Sequence, residues 1–190
     1  EVLVDAVQVP GQAPMPVADW GADYVVAAGH KWLLGPWGAG FCYVAPDAAD
    51  RFEPRQVGYR SVTDPNAADY AFHEGARRLE VGTTSPAPYA GLAAALDGLA
   101  EVGLSTVESR IERLTDRFKH GLADDRLVGP RAYESGLVAF EADDPEALVE
   151  RARERDVVVR ALPGGTVRAS IHVFNTAGDV DRLLDVLADE

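Results

Sequence analysis

The sequence predicts an α/β fold, and three observations carry that expectation. Short apolar runs rich in β-branched residues, such as ADYVVAAG at 22–29 and VVVRAL at 157–162, have the length and composition of buried strands. Longer stretches repeat their apolar residues at helical spacing, as Val107, Ile111, Leu114 and Phe118 do. From about residue 136 onward the two patterns alternate, which is the signature of a compact α/β module.

In chain order, residues 2–4 (Val-Leu-Val) read as the end of a buried strand that delivers Asp5 at its carboxyl end. PGQAPMPVADWG has the Pro/Gly density of a loop, closed by a short helical turn at Val17 to Trp20. ADYVVAAG is a second strand, and GPWGAGFCYVAP turns into a third, with Phe41 and Tyr43 alternating before Pro46. Cys42, embedded in that apolar strand, is expected to be buried and inert. Residues 47–80 lack periodicity and read as an irregular connection of the kind that carries function or an interface.

Helical patterning begins at Ala87 and runs to about Gly121, in two segments. The second opens with Ser105 and has Glu108 three residues on, the spacing of a capping box. GLVAFEA, VVVRAL and TVRASIHVF are then strands, and DPEALVERARERD and TAGDVDRLLDVLADE are helices with Asp144 and Thr176 as N-caps. PGGT is a loop between strands, because no strand–GxGxxG–helix unit surrounds it. No internal repeat and no low-complexity tract is present.

With 190 residues and 47% hydrophobic composition, the chain suffices for one large domain or two small ones. A net charge of -13 argues against nucleic acid and anionic membrane surfaces as partners. Acidity spread along the chain, with arginine far outnumbering lysine, resembles the composition of salt-adapted organisms. There is no apolar run of membrane-spanning length and no basic-then-apolar leader, so the expected location is the cytoplasm. The single cysteine forms no internal disulfide, and Cys/His spacing offers no metal site. The chain opens on Glu1 and runs straight into an apolar strand, which suggests a piece of a longer protein.

Lys31 is one of only two lysines, the other being Lys119. Gly29, His30 and Trp32 flank it, and Gly35, Pro36, Gly38 and Gly40 follow, a backbone able to approach a ligand closely. Partly desolvated lysines serve as Schiff-base nucleophiles. Asp5, at the end of the preceding strand, lies where open α/β sheets bind ligands. An amine and a carboxylate around one ring are what a pyridoxal cofactor requires. Each residue has a structural reading beside the functional one: Lys31 a surface residue, Asp5 a turn residue, His30 a satisfied core histidine, Thr83 a turn cap.

VDAVQ, AGHKWLLGPWGAGF, RRLEVGTTSPAPYAGLAAAL and VRASIHVFNTAGDVDRLL resemble, in order, motifs of the class V aminotransferase group of fold-type I pyridoxal-phosphate enzymes. That group includes cysteine desulfurases, selenocysteine lyases and isopenicillin N epimerase-like proteins, and the resemblance covers their C-terminal half. It implies an α/β fold made of the end of a large cofactor-binding domain (1–46), an irregular connection with an interface loop (47–86), and a helical linker with a small C-terminal α/β domain (87–190). It implies pyridoxal 5'-phosphate as cofactor, an amino acid as substrate and a homodimer as the assembly. Lys31 is then the Schiff-base lysine and His30 a contact to the cofactor phosphate. Asp5 partners the pyridine nitrogen and Gln8 the ring hydroxyl. Thr83 reaches the phosphate of the other subunit's cofactor, and Arg168 clamps the substrate carboxylate, a task suited to a planar bidentate donor.

Arg168 stands on an apolar strand, where its charge needs a buried anion, either substrate or a structural acid. Arg160, on the preceding strand, is a weaker candidate for the substrate side. His172 and the FNT that follows are expected to order a strand-to-helix turn. Two departures narrow the chemistry. Ala28 stands where group members often carry a phosphate-binding serine, and VVVRALPGGTVRAS has no cysteine where desulfurases carry their nucleophile. Transamination, epimerisation or elimination is therefore expected. The alternatives are a desulfurase or selenocysteine lyase-like C–S or C–Se lyase and a non-catalytic fold remnant. The piece alone is expected to be inactive.

Overall fold

Strand β1 (Leu3–Asp5) lies parallel to β2 (Tyr24–Ala28), whose far edge pairs antiparallel with β3 (Gly40–Val44). Parallel neighbours need a crossover rather than a tight turn. Residues 6–23 supply it, with a 3-10 turn at Val17–Trp20 that stops at Gly21 in left-handed geometry (φ 63). Ala6, Ala22 and Val25 are buried beneath the crossover, packed by Val4, Val9, Met15, Val17, Trp20 and Tyr43. The structure, a computed structural model, describes residues 1–49 and 51–189.

Helix α1 (Pro46–Ala49) follows β3, and an irregular stretch then runs to residue 86. It is ordered locally by an antiparallel bridge between Val62 and Phe72 and by a 3-10 turn at Gly75–Leu79. Helix α2 (Ala87–Val102) lays Leu92 onto Leu33 and Ala39. These elements form one compact unit, Glu1–Glu101. Two expectations fail within it. The strand at 2–4 is not buried: β1 is the edge of its sheet and Leu3 is 63% exposed. Cys42 is exposed as well, because its position on β3 faces an open groove rather than the packed side of the sheet.

The second unit, Val102–Glu190, begins with α3 (Leu104–Gly121). A four-stranded antiparallel sheet of order β4-β5-β7-β6 follows: β4 (Leu127–Val128), β5 (Leu137–Glu141), β6 (Arg160–Leu162) and β7 (Thr166–Ser170). Helices α4 (Pro145–Glu154) and α5 (Ala177–Ala188) join α3 on one face of the sheet. Phe118 and Phe140 meet edge to face at 5.5 Å, surrounded by Leu148, Val167, Val180, Leu183 and Val186.

The caps of α4 and α5 form where the sequence placed them. Asp144 accepts from Ala147 N, and Thr176 and Asp179 form a reciprocal capping box. The capping box expected at Ser105 is absent: Gly103, at φ 86, takes the N-cap position, so Ser105 lies inside the first turn of α3. Of VVVRAL only Arg160–Leu162 joins the sheet, and β4 carries no strand signature because two residues are too few to show a period. Among the described residues no single helix is long and apolar enough to cross a membrane, and no group of three metal-ligating side chains occurs.

Candidate active site

Because β1 and β2 are parallel, with Asp5 in register with Val26, their carboxyl ends lie side by side. The two loops that leave those ends carry Asp5, Gln8, His30 and Lys31. The Asp5 carboxylate accepts the amide of Val7 at 3.1 Å, which curls the chain after β1 and fixes the side chain at the strand end.

Lys31 does not end the strand itself. It occupies a closed turn in which Gly35 N donates to Gly29 O at 2.9 Å, Leu34 N donates to Lys31 O at 3.1 Å and Gly29 N donates to Ala39 O at 2.9 Å. Leu34 is held at φ 60 in this turn, a conformation that costs a non-glycine residue and persists only where its surroundings enforce it.

The two loops are tied together through Trp32. Its indole N–H donates to Gln8 Oε1 at 2.8 Å, and the residue is 3% exposed. An indole nitrogen only donates, so Gln8 must present its oxygen to Trp32 and its amide nitrogen elsewhere. Gly11 makes the approach possible: at φ 95, a Cβ there would lie 2.2 Å from Trp32 O. Gln12 braces the same loop by donating from its side chain to Gln8 O.

The His30 imidazole is stacked on the Trp37 indole, centroids 3.9 Å apart and planes 17° from parallel. Neither ring nitrogen has a protein hydrogen-bond partner among the described residues, so the ring is held by its face and its edge stays available.

Thr83 has its hydroxyl engaged by the Tyr59 phenol, not by Asp5, Gln8, His30 or Lys31. That pairing depends on Gly58, where a Cβ would lie 1.9 Å from Val81 O. The sequence reading missed Trp32, Trp37 and Tyr59. The first two lie in the glycine-rich motif around Lys31 and were legible as its flanks. Tyr59 carried no signal, since its partner is 24 residues away in an irregular segment.

In the second unit, Arg168 leaves β7 between buried Val167 and Ala169 and so lies on the sheet face opposite the core. Its Nε is buried and has no hydrogen-bond partner among the described residues. The structural acid that would have satisfied it is therefore not among them. The loop from β6 to β7 is a tight Pro163–Gly165 turn with Gly164 at φ 91 and Gly165 at φ 86, and it contains no thiol. The lone thiol, Cys42, although exposed, is partly desolvated by its surroundings, which raises its pKa and disfavours the nucleophilic thiolate. His172 behaves as expected: Asn175 Oδ1 accepts the His172 amide at 2.8 Å and His172 Nδ1 accepts the Val173 amide at 2.8 Å, shaping the turn into α5.

The donor set of the first unit fits a pyridoxal group: an amine in a closed turn, a carboxylate at a strand end, an oriented amide and an imidazole edge without a protein partner. Comparison with known proteins gives the same indication. The family described as aminotransferase class-V matches residues 1–183. The chain is 31% identical to a probable cysteine desulfurase of Pyrococcus abyssi, over 98% of its own length and 51% of the relative's. It is 32% identical to the isopenicillin N epimerase of Streptomyces clavuligerus, over 97% of its length and 51% of the relative's.

Among solved structures, the cystine C–S lyase C-DES in complex with its product cysteine persulfide superposes with a TM-score of 0.89 at 31% identity, covering all of this chain and 52% of that one. A variant of C-DES holds glycine covalently linked to its PLP cofactor. The chain thus spans about half the length of the relatives it matches. The α/β architecture expected for the C-terminal part of such an enzyme is the one observed.

Proposed function

We propose, since the chain belongs to the aminotransferase class-V family, that it is part of a pyridoxal 5'-phosphate enzyme acting on an amino acid, with Lys31 as the residue that binds the cofactor covalently. The carrying observation is Lys31 in its closed turn at the carboxyl end of β2, tied by the Trp32–Gln8 hydrogen bond to the loop that follows Asp5. When bound, the cofactor supplies an electron sink for the substrate α-carbon.

The residues divide the remaining work. Asp5 presents a fixed carboxylate to the protonated ring nitrogen. Gln8, its oxygen held by Trp32, turns its amide nitrogen to the ring hydroxyl. His30 offers an imidazole N–H to the phosphate, and Thr83 offers a hydroxyl to the phosphate held by a second copy of the chain in a homodimer. Arg168 grips the substrate α-carboxylate through two parallel N–H bonds. The Lys31 amine takes and returns the proton at the α-carbon as general base and acid.

We place the chemistry among transamination, epimerisation and β-elimination. The Pro163–Gly165 turn supports this over a persulfide route, since a desulfurase needs a thiol there and the turn has none. A C–S lyase that releases sulfur without a loop cysteine is the second reading, favoured by the likeness to C-DES. The proposal carries with it residues 1–46 as the end of a cofactor domain, 47–86 as an interface connection, 87–190 as a linker and C-terminal domain, and a cytoplasmic setting.

The test is reductive trapping on this chain: pyridoxal phosphate, then borohydride, then peptide mapping by mass spectrometry. The expected result is a pyridoxyl group on Lys31 in preference to Lys119 and the N-terminus, lost in Lys31→Ala. Uniform or absent labelling would instead support the non-catalytic fold remnant.

A further inference from the structure

Of the three tryptophans in the chain, Trp37 alone is open to solvent: it is 80% exposed, against 3% for Trp32, and Trp20 is half-buried. An indole so open removes little apolar surface from water, so burial does not account for it. The contact it makes is specific instead. Its ring lies flat against the His30 imidazole, centroids 3.9 Å apart and planes 17° from parallel.

The backbone brings those two rings together. His30 and Trp37 stand on opposite limbs of a loop closed at its base, where Gly29 N donates to Ala39 O at 2.9 Å, and Lys31 lies between them in the chain. Pro36 seats the returning limb on α2, where a Cβ on Gly91 would lie 2.8 Å from the Pro36 ring. Gly38, at φ 96, then turns the chain into β3. An imidazole rotates about two torsions, and the outer one is broad, so a ring without support samples many planes. Stacking on a fixed indole selects one plane and leaves both nitrogens at an edge that no protein group among the described residues engages. A group held in place before its ligand arrives loses less freedom on binding.

We propose that Trp37 is a positioning residue for anion recognition, holding the His30 imidazole in the plane from which a ring N–H meets the cofactor phosphate. The inference rests on the reading above that His30 contacts that phosphate, and extends it to a residue that acts only through His30. The shape of the side chain matters: a flat aromatic ring matches the imidazole face, whereas an aliphatic side chain at 37 would leave the ring free to turn.

The experiment has two arms, both on the 190-residue chain. In the first, the ring nitrogens of His30, assigned with His30→Gln, are followed in the 15N-labelled protein during titration with inorganic phosphate. Phosphate should move them in the parent and bind about fivefold more weakly in Trp37→Leu, the worth of a stacked aromatic pair, with the rest of the spectrum reporting an intact fold. Trp37→Phe, which keeps a flat ring, should restore the parent behaviour. In the second arm, borohydride labelling of Lys31 is compared between pyridoxal phosphate and pyridoxal, which lacks the phosphate. Trp37→Leu should lower the preference for the phosphorylated aldehyde by a similar factor and add nothing in a His30→Gln background. His30 signals indifferent to phosphate, unchanged phosphate affinity in Trp37→Leu, equal loss of labelling by both aldehydes, or no rescue by Trp37→Phe would overturn the proposal. The arms also separate two failures: if Lys31 resists labelling while Trp37→Leu still weakens phosphate binding at His30, the Lys31 reading falls and this one stands.

Discussion

The two lysines of this acidic chain have opposite surroundings. Lys31 stands in a turn that exposes part of it, whereas Lys119 is 5% exposed on α3, its ammonium donating to Pro130 O at 2.9 Å and Ala132 O at 2.8 Å. Those carbonyls lie in the link between β4 and β5, so Lys119 anchors that link to the helix. Lys119→Met should therefore lower the stability of the second unit by about 1–3 kcal/mol, the net worth of the hydrogen bonds that the buried ammonium donates. Urea unfolding should register it as an earlier midpoint, while reductive trapping at Lys31 stays as in the parent. Lys31 was legible in the sequence because its glycine-rich flanks are local. Lys119 was not, because its partners are set by how the 129–132 loop folds back.

At the scale of elements, the start of α5 was fully legible: Thr176 and Asp179 lie three residues apart and cap each other through bonds of 2.8 and 3.2 Å. Thr176→Ala should destabilise the second unit by about 1 kcal/mol, the usual worth of such a cap, seen as faster amide exchange in the first turn of α5. The cap also carries a pH signature. The Thr176 backbone amide and then its hydroxyl hold the Asp179 carboxyl below the usual 3.8. A depressed folded-state value stabilises fully above the unfolded value and fades as pH falls through the folded one. The stability gap between the parent and Asp179→Ala should accordingly be constant near neutrality and close below about pH 4. A gap that persists at pH 2 would show that the carboxylate contributes nothing as an anion. The start of α3 was misread for an equally local reason: Ser105 has the right spacing to Glu108, but Gly103 two residues earlier reaches the left-handed backbone that begins the helix.

For the whole molecule, the two units are unequally packed. Among the described residues the second holds a contiguous core of fifteen buried residues, from Leu114 and Phe118 to Val186 and Leu187, whereas two clusters in the first, around Val25 and around Leu92, hold three each. The first unit also leaves Leu3 and Phe52 exposed beside a groove of about 460 Å³ that Tyr24, Cys42 and Leu79 help to line. With the chain spanning about half the length of its relatives, we expect the 190-residue protein to bind pyridoxal phosphate weakly and a hydrophobic dye appreciably. Tight one-to-one cofactor binding in equilibrium dialysis would show that the groups in Glu1–Glu101 suffice alone.

What the sequence by itself determined is whatever depends on near neighbours: the α/β alternation, the caps of α4 and α5, and the glycine-rich turn that isolates Lys31. Apolar period, capping spacing and backbone freedom act within a few residues, so they can be read along the chain. Only the tertiary structure decided that Trp32 orients Gln8, that β1 is an exposed edge, and that Arg160 stands beside Arg168. These depend on strand order and register, which bring together residues far apart in the chain, and a one-residue slip in register would have put the two arginines on opposite faces.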